Sequence, residues 1–213
     1  MEVRIKKVVS TIQRMYPHPT PSLSFKNPFE CLVATILSAQ CTDVRVNIVT
    51  QELFPVANTP EKILALGEKG LIRYIRSTGF YRAKARHILG TCKKLIEDFG
   101  STVPATLEEL QTLPGAGRKT ASVVLSQAFH IPAFPVDRHV LRVANRLALA
   151  HATTPDKTDL QLRKTIPKKW WIPFHIQLIY LGRQLCKPKP LCEKCPLLPL
   201  WPEGKKRAVK RTR

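Results

Sequence analysis

Helix starts are written into this chain again and again, and they constrain its fold more than any other feature. Asn27-Pro28-Phe29-Glu30 sets a capping residue before a proline, with a glutamate three residues on. Thr59-Pro60-Glu61 and Thr154-Pro155-Asp156 repeat the pattern, and Thr106 with Glu109 forms a further capping box before Leu110. An Asn or Thr side chain accepts from an N–H of the first turn, and proline there gives up only an N–H that would be unpaired anyway. Gly100 is placed to stop a helix of roughly Arg82–Phe99. Strand signals are sparse. The sequence therefore predicts an all-α chain of about nine or ten helices joined by short Pro/Gly turns. It contains no internal repeat and no low-complexity segment apart from a basic tail.

One segment carries chemistry as well as structure. Leu113 to Asp137 reads LPGAGRKTASVVLSQAFHIPAFPVD. The turn Pro114-Gly115-Ala116-Gly117 runs straight into a helix whose first turn holds Arg118 and Lys119. Glycine tolerates positive φ, which both a tight hairpin and a close approach to phosphate can use at Gly115 and Gly117. Unpaired N–H groups and the dipole make such a helix start an anion cradle. A lysine in that positive field should lose its proton more readily, and a free amine is a nucleophile. The helix should run from about Arg118 to His130, roughly 20 Å at ~1.5 Å per residue. Pro132 and Pro135 make Ile131–Val136 extended, and six extended residues also span about 20 Å. Asp137 can thus return to the level of Lys119. Asp137 equally suits an N-cap for a helix from Arg138 to Leu147.

Charge narrows the partner. Of the 213 residues, 35 are Lys or Arg and 15 are Asp or Glu, a net charge of +20. That balance suits nucleic acid. No apolar run of the ~20 residues needed to span a bilayer occurs, so no membrane role is expected. Residues 1–16 mix charges with apolar positions at helical spacing, as a domain helix does and a signal peptide does not. Three of the six cysteines crowd at Cys186, Cys192 and Cys195, which favours metal or cluster ligation in a reducing compartment over disulfides. An intracellular protein is expected, cytoplasmic with the nucleoid if bacterial. Cys31, Cys41 and Cys92 sit in apolar helical contexts as small hydrophobes. Arg138, Arg142 and Arg146 share a helix face, either solvated or against DNA.

At these residues the chain resembles the endonuclease III family of helix–hairpin–helix DNA glycosylases and abasic-site lyases. The resemblance rests on LPGAGRKTA at Leu113–Ala121 and on Val136-Asp137-Arg138-His139. SAQCTD at Ser38–Asp43, STGFYRAKA at Ser77–Ala85 and the Cys-rich tail extend it over nearly the whole chain. It implies two helical lobes with a DNA-binding cleft between them. Residues 22–131 would form one lobe, and 1–21 with 132–213 the other. It further implies that Lys119 attacks C1′ of a damaged nucleotide, that Asp137 is the essential carboxylate, and that β-elimination then cuts the strand. Gln40 would fill the gap left by the flipped nucleotide, and Phe80 would wedge against the opposite strand. The family wedge is usually aliphatic, so Phe80 is a departure. Gly115, Gly117, Arg118, His139 and Lys187 would contact DNA, and a monomer is the family expectation.

The tail departs from the family pattern, which holds a [4Fe–4S] cluster with cysteines spaced C-x6-C-x2-C-x5-C. Here Cys186, Cys192 and Cys195 are followed by Trp201 in the fourth position, and the first spacing is one residue short. Three outcomes stay open. Three cysteines could hold a labile cluster, helped by water or Glu203. Zinc could bind with a fourth ligand that the sequence does not identify. Or the cluster is lost and Trp201 fills its volume.

The sequence thus predicts a base-excision glycosylase with lyase activity on oxidised or saturated pyrimidines in duplex DNA. A mismatch-specific monofunctional glycosylase is disfavoured by Lys119. A non-catalytic helix–hairpin–helix DNA-binding module is disfavoured by Asp137.

Overall fold

The structure is a computed structural model, and it describes residues 2–201; Glu203 and the basic tail lie outside the described residues. Within that range the chain is all helical, with no strand. The helices are α1 (Val3–Met15), α2 (Pro28–Leu37), α3 (Asp43–Leu53), α4 (Pro60–Ile75), α5 (Tyr81–Phe99), α6 (Leu107–Gln111), α7 (Arg118–Ala128), α8 (Arg138–Arg146), α9 (Pro155–Thr165) and α10 (Trp171–Gln184).

The capping signals act where they stand. Asn27 Oδ1 accepts from Glu30 N at 2.9 Å, while the Glu30 carboxylate accepts from Lys26 N at 2.6 Å, one residue ahead of the cap. Thr59, Thr106 and Thr154 accept from Lys62, Glu109 and Lys157 N–H groups. Gly100, at φ 55°, ends α5, and Ser101 N returns to the Leu95 carbonyl at 2.8 Å. Helix α4 is broken at Gly67, whose φ of 62° and ψ of 178° are not helical.

The chain divides between Thr20 and Pro21 and again between Ala133 and Phe134. The middle unit packs α2 to α7 around a core that includes Leu32, Leu37, Ile63, Leu71, Ile75, Ile88, Leu95 and Leu110. The other unit combines α1 with α8 to α10. Val8, Val9 and Ile12 of α1 are buried with Phe134, Val140, Val143, Phe174 and Leu178. Each such apolar side chain contributes roughly 1.5–3 kcal/mol by leaving water. Burial pushes the Cys31 and Cys92 thiols up to about 12, as suits inert core positions. Cys41 differs from the expectation: it lies in the turn after α2, half-buried.

Candidate active site

The middle unit presents the hairpin between α6 and α7. Its turn is closed by Leu113 N to Leu110 O and Ala116 N to Leu113 O. Thr91 of α5 donates to the Pro114 carbonyl at 2.6 Å and pins the turn to the core. Gly115 is left-handed at φ 79°, and a Cβ there would come within 2.9 Å of His87 Cβ. Gly117 differs from the sequence expectation. It is extended at φ −66° and ψ 173°, and a Cβ would meet nothing within 4 Å. Its glycine is not needed for backbone strain; it leaves the helix start bare. Gly117 has no side chain with which to cap α7. Arg118 is half-buried and Lys119 exposed on the first turn of that helix.

Helix α7 stops at Ala128 rather than His130. His130 turns left-handed at φ 55°, and Ile131 N reaches back to Leu125 O at 2.9 Å. The stretch from Ile131 to Val136 is neither helix nor strand, as its prolines require.

In the other unit Asp137 caps α8. Its Oδ1 accepts from both His139 N and Val140 N at 2.8 Å, which leaves Oδ2 for other work. The side chain is half-buried and rigidly held. His139 packs against Gly182 of α10, where a Cβ would come within 2.9 Å of the histidine. Arg142 Nη2 lies 3.2 Å from His139 Nδ1. An arginine can only donate, so Nδ1 accepts and the ring proton sits on Nε2. Burial holds the His139 pKa below its usual value; Arg142, Arg183 and Arg138 add to this and Asp137 opposes it. His139 is thus a neutral donor through Nε2.

The arginine face of α8 has a role that helical spacing did not reveal. Arg142 donates to the carbonyls of Cys186 and Gly182, each at 2.9 Å. Arg146 donates to the carbonyls of Lys187 at 2.6 Å and Pro188 at 3.0 Å. Both are spent holding the Cys loop. Of the three arginines, only Arg138 is exposed. Lys187 and Lys189 stand exposed on that loop, with its backbone clamped from beneath. No signal in the local sequence pairs residues forty positions apart.

Two further exposed residues project from turns of the middle unit. Gln40, at φ 51°, follows α2, and Phe80, at φ 48°, precedes α5 and is 67% exposed. Both are left-handed without being glycine, a conformation that costs on the order of 1 kcal/mol each.

The three cysteines and Trp201 line one cavity of about 20 Å³, with Leu147, Leu181 and Leu197 among its other walls. Trp201 stands in that wall where the family pattern has its fourth thiolate. Trp201 is 8% exposed and packs with Cys192 in the core of this unit. Burial raises the Cys195 thiol, and Cys186 and Cys192 raise it further. Among the described residues no three His, Cys, Asp or Glu side chains are grouped to hold a metal ion. The residues present do not fit a four-thiolate cluster. Among the described residues no helix is long and apolar enough to cross a membrane.

Comparison with known proteins matches this arrangement. Residues 33–168 match the HhH-GPD superfamily of base excision DNA repair proteins. The chain is 46% identical to endonuclease III of Rickettsia conorii over 194 residues, 91% of this chain and 92% of that one. It is 43% identical to endonuclease III of Escherichia coli K12 over 190 residues, 89% and 90% of the two chains. In three dimensions it superposes on an endonuclease III in a non-covalent complex with DNA. The TM-score is 0.92 at 43% identity, covering 98% of this chain and all of the other.

Proposed function

The chain belongs to the endonuclease III family of the HhH-GPD superfamily, and from that premise we propose that it excises oxidised or saturated pyrimidines from duplex DNA and then cuts the strand at the abasic site. It is a base-excision DNA glycosylase with lyase activity. The observation that carries the reading is the placement of Lys119. Its exposed amine stands on the first turn of a helix that no side chain caps, where phosphate and a developing anion are both favoured.

In this reading the Nζ of Lys119 attacks C1′ as the C1′–N bond to the base breaks. The departing base takes the electron pair and then a proton from water. Asp137 serves as the carboxylate that offsets positive charge on the sugar and accepts the proton the amine must lose. The C1′–O4′ bond then opens, O4′ taking up the proton that Asp137 accepted, and the protonated imine left at C1′ acidifies the C2′ hydrogen. Loss of that proton expels the 3′-phosphate by β-elimination, and water releases Lys119. His139, neutral with its proton on Nε2, suits a phosphate or sugar oxygen. Gln40 and Phe80 fill the stack once the damaged nucleotide leaves it, and weak stacking of such bases lowers the cost of extrusion. Lys187, Arg118 and the start of α7 hold phosphate, so binding should fall steeply with salt.

No step uses iron, and we read the Cys loop as a cluster site emptied by evolution, with Trp201 in the vacated volume. A DNA substrate supports a cytoplasmic location in a bacterial cell.

Borohydride tests the enzymatic reading. A duplex with one abasic site should give a covalent protein–DNA adduct that vanishes in Lys119→Ala. If the unmutated protein binds the duplex yet yields no adduct, the lysine mechanism is wrong.

A further inference from the structure

The two exposed prongs of the middle unit share a root. Lys84 lies in the first turns of α5, yet it is only 4% exposed. Its Nζ donates to the Leu37 carbonyl at 2.8 Å and to the Thr78 carbonyl at 2.8 Å. Leu37 is the last residue of α2, at the end of a helix where carbonyls run out of i+4 N–H donors. Three residues on from it stands Gln40, and two residues on from Thr78 stands Phe80. Both are held in the left-handed region. A buried ammonium is costly unless charge-assisted bonds offset its lost hydration. Burial lowers the Lys84 pKa, while the Cys41 thiol, next to Gln40, favours the charge.

A core position could hold an apolar residue at less cost. A cation here makes sense only if the two carbonyls it gathers must be fixed. Without it, each strained turn could relax separately, and the spacing of the two prongs would be lost.

Resting on the reading above, we propose that Lys84 is a positioning residue for nucleotide extrusion: its buried ammonium ties the Gln40 turn and the Phe80 turn into one rigid two-pronged probe. Lys84 does not touch the reacting atoms. It decides whether both prongs enter the duplex in register.

The test compares Lys84→Met with the unmutated protein on two abasic substrates, a duplex and a single strand, the latter needing no extrusion. A 2-aminopurine beside the abasic site of the duplex reports unstacking by its fluorescence. The variant should keep its affinity for undamaged duplex and its rate of borohydride trapping on the single strand within about 2-fold. It should lose the fluorescence rise, and trapping on the duplex should fall at least about 10-fold, the worth of one charge-assisted bond. In a Gln40→Ala, Phe80→Ala background, Lys84→Met should cause no further loss on duplex. Equal losses on both substrates, a further loss in that background, or an unchanged fluorescence rise would overturn the proposal. Should Lys84→Met fail to fold, Lys84→Gln, whose amide can still donate to one carbonyl, must show the same split. An unmutated protein that traps neither substrate counts against the enzymatic reading itself, and the positioning role falls with it.

Discussion

Replacing Asp137 separates its structural work from its chemical work. Two N–H groups of α8 donate to Oδ1 at 2.8 Å, so the side chain is a full N-cap as well as a carboxylate. Asp137→Asn keeps an acceptor oxygen and removes the charge. It should cost only the helix-dipole share, about 0.3–1 kcal/mol. Asp137→Ala removes the cap as well, at about 0.5–2 kcal/mol. For a chain of this length 1 kcal/mol moves Tm by about 2–4 °C, so the alanine variant should melt a few degrees lower than the asparagine variant. Catalysis should not follow that order. Both variants lose the carboxylate, and single-turnover excision at saturating enzyme should fall by about 10²–10⁴-fold in each. Affinity for undamaged duplex should hold or tighten, because one negative charge has gone. Excision by Asp137→Asn within about 3-fold of normal, beside a large loss in Asp137→Ala, would refute the reasoning. Asp137 would then be a cap and nothing more.

The two hairpin glycines should behave differently. Gly115→Ala meets both positive φ and the His87 side chain, and should destabilise by about 1–3 kcal/mol in thermal melts. Gly117→Ala meets neither, and should leave Tm unchanged within the error of the melt. His139 predicts a pH dependence. Its folded pKa lies below its ordinary value, so the unfolded chain binds the proton more readily. The stability it contributes is present above about pH 6.5 and is lost as pH falls through the folded value. Melts between about pH 5 and 7.5 should show that slope, and His139→Gln should flatten it; an equal slope in the variant rejects the assignment. Freshly purified protein should contain substoichiometric iron and no visible iron–sulfur absorbance, and stoichiometric iron would reject the loss of the cluster.

What could be read from the sequence alone was local. A cap and the N–H it serves lie two or three residues apart, so Asn27, Thr59, Thr106, Thr154 and Asp137 announce their helices without help from the rest of the chain. The Gly115 turn is likewise complete within a few residues, and the LPGAGRKTA run, in order with the segments at Ser38–Asp43, Ser77–Ala85 and Val136–His139, carries the family resemblance. What only the tertiary structure decided depends on partners far along the chain. Arg142 and Arg146 look like a basic face until the carbonyls of residues 182–188 come within reach. Lys84 looks like one more cation on a charged helix until Leu37 and Thr78 fold beneath it. Trp201 is a mere departure from a spacing until it packs with Cys192 in a core that includes Val8 and Ile12 from the other end of the chain. A charged side chain's role is set by what replaces its water, and that replacement is assembled only when distant segments meet.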